Sequence, residues 1–113
     1  MPFININTNV KASAAQTAQI KTALGKAITA IPGKSEDWLM VAMEDEQALF
    51  FRGSDEPAAI ASVSLYGNAS RNALNTLTSH ITGILGDALG ISSDRIYVSY
   101  MMTDHWGWNG SNF

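Results

Sequence analysis

Residues 33–43 read Gly-Lys-Ser-Glu-Asp-Trp-Leu-Met-Val-Ala-Met, and residues 90–100 read Gly-Ile-Ser-Ser-Asp-Arg-Ile-Tyr-Val-Ser-Tyr. Gly33, Ser35, Asp37, Leu39 and Val41 return as Gly90, Ser92, Asp94, Ile96 and Val98, at a constant offset of 57 positions in a chain of 113. An internal repeat of half the chain length restricts the fold to two copies of one supersecondary unit. The halves run over about residues 2–52 and 58–113, inside one expected domain spanning 1–113.

In the first half, Phe3-Ile-Asn-Ile-Asn-Thr alternates apolar and polar side chains, which predicts a half-buried strand. Ser13 and Gln16 form a capping-box pattern, and Ile20, Leu24, Ile28 and Ile31 follow as one apolar helical stripe that Pro32-Gly33 ends. Trp38 to Met43 and Ala48 to Phe51 read as strands. The second half repeats the scheme, with a strand over Ala58 to Leu65 and a turn at Gly67 to Ser70. A helix carrying Leu74, Leu77, Ile81, Ile84, Leu85 and Leu89 follows, stopped by Gly90, and the last long strand covers Arg95 to Tyr100.

Each unit is thus strand, helix, strand, which predicts a parallel pair crossed over by a helix. Two units side by side make an α+β fold, a four-stranded sheet with both helices on one face. The expectation for the other face is an apolar surface: Val63 and Leu65, or Val41 and Met43, should not all reach the helices. Such a face calls for burial by further copies of the chain.

Composition removes several functions. Seven Lys and Arg against ten Asp and Glu leave a net charge of −3, with no basic cluster for nucleic acid. The absence of Cys excludes disulfides, thiolate nucleophiles and Cys-based metal sites. His80 and His105 have no ligand spacing, and no phosphate-binding or dinucleotide fingerprint occurs, so neither metal nor cofactor is expected. Without a basic-then-apolar leader or a run long enough to span a bilayer, the expected compartment is the cytoplasm, with secretion lacking a signal peptide as the alternative.

Pro2 says most about chemistry. Removal of Met1 would leave a secondary amine at the head of a rigid strand. An α-amine titrates at about 8, and burial or a neighbouring cation lowers that value, giving a base near neutrality. With Met1 retained, the same nitrogen is a non-basic amide. Pro after Met is also a common chain start, and position alone does not choose between the readings.

Lys34, in the Pro32-Gly33-Lys34 turn, has Ile91 as its counterpart in the other half. A cation there suits a substrate carboxylate and would depress the Pro2 amine; a solvated loop lysine is the plainer alternative. Trp106, Trp108 and Phe113 crowd the last eight residues, and Trp38 and Tyr97 add to the aromatic supply. Such rings can wall a pocket for a planar ligand or simply fill a core or interface.

Together these features resemble the macrophage migration inhibitory factor branch of the tautomerase superfamily. The resemblance covers essentially the whole chain and rests on Met1-Pro2, Pro32-Gly-Lys34, Gly53-Ser-Asp-Glu-Pro57, Asp94-Arg-Ile-Tyr-Val-Ser-Tyr100 and Gly107-Trp-Asn-Gly-Ser-Asn-Phe113. It implies a mixed sheet, a homotrimeric barrel with active sites between subunits, and cofactor-free keto–enol tautomerisation of phenylpyruvate-like α-keto acids. Pro2 would be base and then acid, and Lys34 would hold the carboxylate with the backbone of Leu65 and Tyr66. Phe3, Trp38, Tyr97, Trp106, Trp108 and Phe113 would wall the pocket.

Two departures bear on specificity: Ser99 stands where the family often has Asn, and Tyr66 where it has a smaller aliphatic residue. Ala58-Ala-Ile-Ala61 replaces the family's Cys-x-x-Cys, which removes thiol redox chemistry. The competing implication is a cytokine-like protein that acts by engaging a receptor while the pocket is vestigial. A hydratase or dehalogenase variant would need extra Arg or Glu, and the spacing of Arg52, Arg71 and Arg95 aims none of them at Pro2.

Overall fold

A computed structural model describes all residues, 1–113. Strand β1 (Pro2–Thr8) leads to helix α1 (Ala14–Ala27) and strand β2 (Met40–Glu44). Strand β3 (Ala59–Tyr66), helix α2 (Arg71–Leu89) and strand β4 (Ile96–Thr103) repeat that order, and β5 (Gly107–Trp108) and β6 (Ser111–Asn112) form a terminal hairpin. The main sheet is ordered β2-β1-β3-β4. β1 and β2 are parallel, β3 and β4 are parallel, and the halves meet through antiparallel β1 and β3, so the sheet is mixed.

The helices begin and end where local chemistry directs. Ser13 accepts the Gln16 N–H at 3.1 Å while the Gln16 side chain accepts the Ser13 N–H at 2.8 Å, completing the capping box. Ser70 caps α2 through the Ala73 N–H. Tyr100 ties β4 to α2, its hydroxyl donating to the Leu74 carbonyl at 3.0 Å.

Both helices cover the same sheet face. Ile4, Ile6, Ala61, Val63 and Leu65 from the sheet meet Ile20, Leu24, Leu77, Ile81 and Leu85 from the helices in one core. The expectation of an apolar opposite face is corrected here. Register aligns Ile4 with Val41 and Val63, Ile6 with Met43, and Pro2 with Leu65, so all four supposedly divided residues pack on the helix side. Across the middle of the open face run Asn5, Asn7, Ser62, Ser64 and Ser99, with Phe3, Met40, Ile60, Tyr97 and Met101 around them.

Two further readings change. Trp38 lies in a 3₁₀ turn (Glu36–Trp38) and the strand starts at Met40. Ala48 to Phe51 forms no strand; only an isolated bridge joins Phe51 to Ser54. Carbonyls of Leu49, Phe51 and Ser54 accept hydrogen bonds from the side chains of Asn9 and Arg95, which replaces a ladder.

Candidate active site

Because β1 starts at Pro2 and pairs with β2 and β3 on its two sides, the head of the chain is held inside the sheet, and Pro2 is buried. The turn after α1 brings Lys34 to the same end. Its Nζ donates to the Tyr66 carbonyl at 2.9 Å and stands 5.9 Å from the centre of the Tyr66 ring. Burial, then the charge of Lys34 and a hydrogen bond with it, lower the Met1 amine from 8.0 to about 6. The Met1 carbonyl accepts the Tyr66 N–H at 3.2 Å.

Beside this head lies a recess of about 360 Å³, lined by Met1, Pro2, Phe3, Trp38, Trp106 and Trp108. The terminal hairpin delivers the tryptophans. Asn109 and Gly110 both take left-handed φ values, 53° and 88°, the two-residue turn that Asn-Gly favours. The hairpin closes through Phe113 N–H to the Trp106 carbonyl at 3.0 Å. Edge-on contact joins Trp38 to Trp108 with ring centres 5.1 Å apart, and Phe113 stands 5.2 Å from Tyr66, so an aromatic wall reaches from the recess to Lys34.

The chain therefore gathers Pro2, Phe3, Lys34, Trp38, Tyr66, Trp106, Trp108 and Phe113 at one end of the sheet. Leu65 joins only through its backbone, because its side chain is 1% exposed in the core. Tyr97 and Ser99 are not brought there. They pair with Ile60 and Ser62, whereas Pro2 pairs with Leu65, which puts Tyr97 about 17 Å along the strand at roughly 3.3 Å per residue. At that far end Tyr97, 60% exposed, packs on Phe51.

Sequence reasoning missed Asp37, Leu39 and Met40 in the recess lining. Met40 had a signal, since a parallel partner of β1 starting near Trp38 sets it beside Phe3. It also missed Asn9, whose partners Leu49, Asp55 and Glu56 are 40 to 47 positions away and leave no local trace.

The chemistry open to this arrangement is proton transfer by a chain-terminal amine beside a cation, in a recess walled by aromatic rings. A family model described as "Macrophage migration inhibitory factor (MIF)" matches residues 1–113. The macrophage migration inhibitory factor of Meriones unguiculatus is 33% identical over 115 residues, covering 100% of this chain and 99% of that protein. Among solved structures, Leishmania major MIF2 is 34% identical with a TM-score of 0.93, covering 100% of this chain and 97% of that one. A homologue from Prochlorococcus marinus is 29% identical with a TM-score of 0.86, covering 98% of each.

Proposed function

This chain belongs to the macrophage migration inhibitory factor family of the tautomerase superfamily, and on that premise we propose that it is a keto–enol tautomerase of phenylpyruvate-like α-keto acids. The amine of Pro2, free after removal of Met1, is the base and then the acid. The observation that carries this reading is the head of the chain itself: burial, then Lys34, hold the Met1 amine well below its ordinary range, and the same head opens on an aromatic recess. Pro2 is buried, and burial would lower its freed amine in the same direction.

The neutral amine takes a proton from C3 of the acid. The C3–H electron pair becomes the C2=C3 bond, and the carbonyl oxygen receives the proton back from the Pro2 ammonium as the enol forms. Lys34 spends one N–H on the Tyr66 carbonyl and keeps two for the substrate carboxylate. Loss of Met1 also frees the Tyr66 N–H, a second carboxylate donor at the same place. Phenyl and other flat side chains fit the recess of Phe3, Trp38, Trp106 and Trp108.

Tyr97 and Ser99 enter the reading only through a second copy. In a homotrimer, the open sheet face of one subunit lies against its neighbour, and the far end of β4 reaches the neighbour's Pro2 recess. The test is phenylpyruvate enol–keto conversion followed by absorbance, for protein whose N-terminus mass spectrometry shows to be Pro2, against Pro2→Gly. A loss of about tenfold or more in kcat/KM is expected for Pro2→Gly. Equal rates reject the mechanism.

A further inference from the structure

The loop from Phe51 to Pro57 has almost no backbone ladder, and Arg52 and Gly53 both sit at left-handed φ, 54° and 72°. Its carbonyls need donors from elsewhere. Arg95 supplies them: Nε donates to the Pro57 carbonyl at 2.9 Å, Nη1 to Phe51 at 3.1 Å, and Nη2 to Ser54 at 3.2 Å and Glu56 at 3.0 Å. Those bonds occupy four of the five guanidinium N–H groups, so the side chain is committed to the loop and is not free to hold a substrate anion.

The loop in turn holds a ring. The Arg95 guanidinium stands 5.3 Å from the Phe51 ring centre and that of Arg52 5.2 Å from it, and the Phe51 ring meets Tyr97 edge-on at 5.0 Å and 67°. Arg95, the last residue of a 3₁₀ turn (Ser93–Arg95), and Tyr97, the second residue of β4, both reach the Phe51 ring. Phe51 is the ring that packs on Tyr97, which stays 60% exposed.

We propose that Arg95 is a positioning residue which, through the 51–57 loop and the Phe51 ring, sets the orientation in which Tyr97 enters a neighbouring copy's recess. The use of Tyr97 in that recess rests on the tautomerase reading; the hold of Arg95 on the ring does not. Asn9 anchors the loop separately, donating to Leu49, Asp55 and Glu56 carbonyls and accepting the Ala58 N–H, so the loop keeps an attachment when Arg95 is lost.

The experiment combines tyrosine-ring NMR with a double-mutant cycle. The chain has three tyrosines, and Tyr97→Phe identifies the Tyr97 signal. Arg95→Met should move that signal toward a free tyrosine while Tyr66 and Tyr100 stay in place. Phe51→Leu, which leaves every Arg95 hydrogen bond intact, should do the same and serves if Arg95→Met does not fold. On phenylpyruvate, Arg95→Met should lower kcat/KM about tenfold, shrinking to under about twofold in a Tyr97→Ala background. An unmoved Tyr97 signal in folded Arg95→Met overturns the proposal, whatever Phe51→Leu does. So does an equal rate loss with and without Tyr97, which marks general damage to the fold. A wild-type protein with no turnover refutes the tautomerase reading instead, and the Tyr97 signal then decides the role of Arg95 alone.

Discussion

Shifted by 57 positions, the first half of the molecule falls on the second element by element and at several core and turn positions. Ser13 becomes Ser70, both helix caps, and Ile20, Leu24 and Ile28 become Leu77, Ile81 and Leu85, all buried. Even the recesses correspond: Met1, Pro2, Phe3, Trp38 and Met40 line one, and Ala58, Ala59, Ile60, Arg95 and Tyr97 line the other. What differs is the chemistry. Gly33 and Gly90 share a left-handed turn, φ 80° and 69°, yet the next residue is Lys34 beside the chain head in one half and Ile91, 3% exposed, in the other. Core positions changed mostly among apolar residues, with buried Thr8 against buried Leu65 the exception, whereas the recess exchanges Trp38 for Arg95 and the turn beside it Lys34 for Ile91; the first half carries the amine of the chain head where the other has a peptide nitrogen.

The largest break in that contrast comes from leaving Met1 in place, which turns the Pro2 nitrogen into an amide like that of Ala59. Loss of about 10²- to 10⁴-fold in turnover is expected, the range for removal of a general base. Binding should fall as well, because the Met1 carbonyl occupies the Tyr66 N–H. Titration of processed and unprocessed protein, separated by mass, with a non-reacting aryl carboxylate checks this: equal affinity would show that Met1 blocks chemistry alone.

Lys34→Ile makes the first turn like the second. Removing a charge-assisted contact to the substrate carboxylate should lower kcat/KM by about ten- to a hundredfold, mainly through KM. The same change removes a cation that lowers the Met1 amine and that the proposed mechanism sets beside the Pro2 amine. For the keto-to-enol direction only the neutral amine works, so kcat/KM rises with pH on a limb set by the Pro2 amine. In Lys34→Ile the limb should move to higher pH. A pH profile with an unmoved limb would leave burial, the larger cause, acting alone.

Local signals made most of the scaffold legible. The alternation of β1, the Ser13–Gln16 box and the stop at Gly90 depend on neighbours within a few positions, and they stand where sequence puts them. The apolar run Ala48 to Phe51 misled because its backbone partners are side chains some 40 positions away, Asn9 before it and Arg95 after it. The open face misled because side-chain parity depends on register between strands, which single strands do not display. Pro2, Lys34 and the tryptophans could be named from the chain, but their common location needed the parallel pairing of β1 with β2 and the Asn109-Gly110 hairpin. Tyr97 is legible as an aromatic on the last long strand, while its distance from Pro2 follows only from the β3 register.

The smallest expected effect concerns the two helix caps, where the halves look most alike. Ser13 works in a reciprocal pair: Gln16 returns a bond to the Ser13 N–H and also donates from Nε2 to the Ala88 carbonyl at the end of α2. Ser70 makes one bond, accepting the Ala73 N–H at 3.1 Å. Truncating either serine to alanine should cost about 1 kcal/mol. Ser13→Ala should cost more by a few tenths of a kcal/mol, since it loosens a side chain that also links the two helices. Denaturant midpoints of Ser13→Ala, Ser70→Ala and Gln16→Ala compare them, with Gln16→Ala expected to match Ser13→Ala. If Ser70→Ala proves as damaging as Ser13→Ala or more so, the link from Gln16 to Ala88 adds nothing to the Ser13 cap.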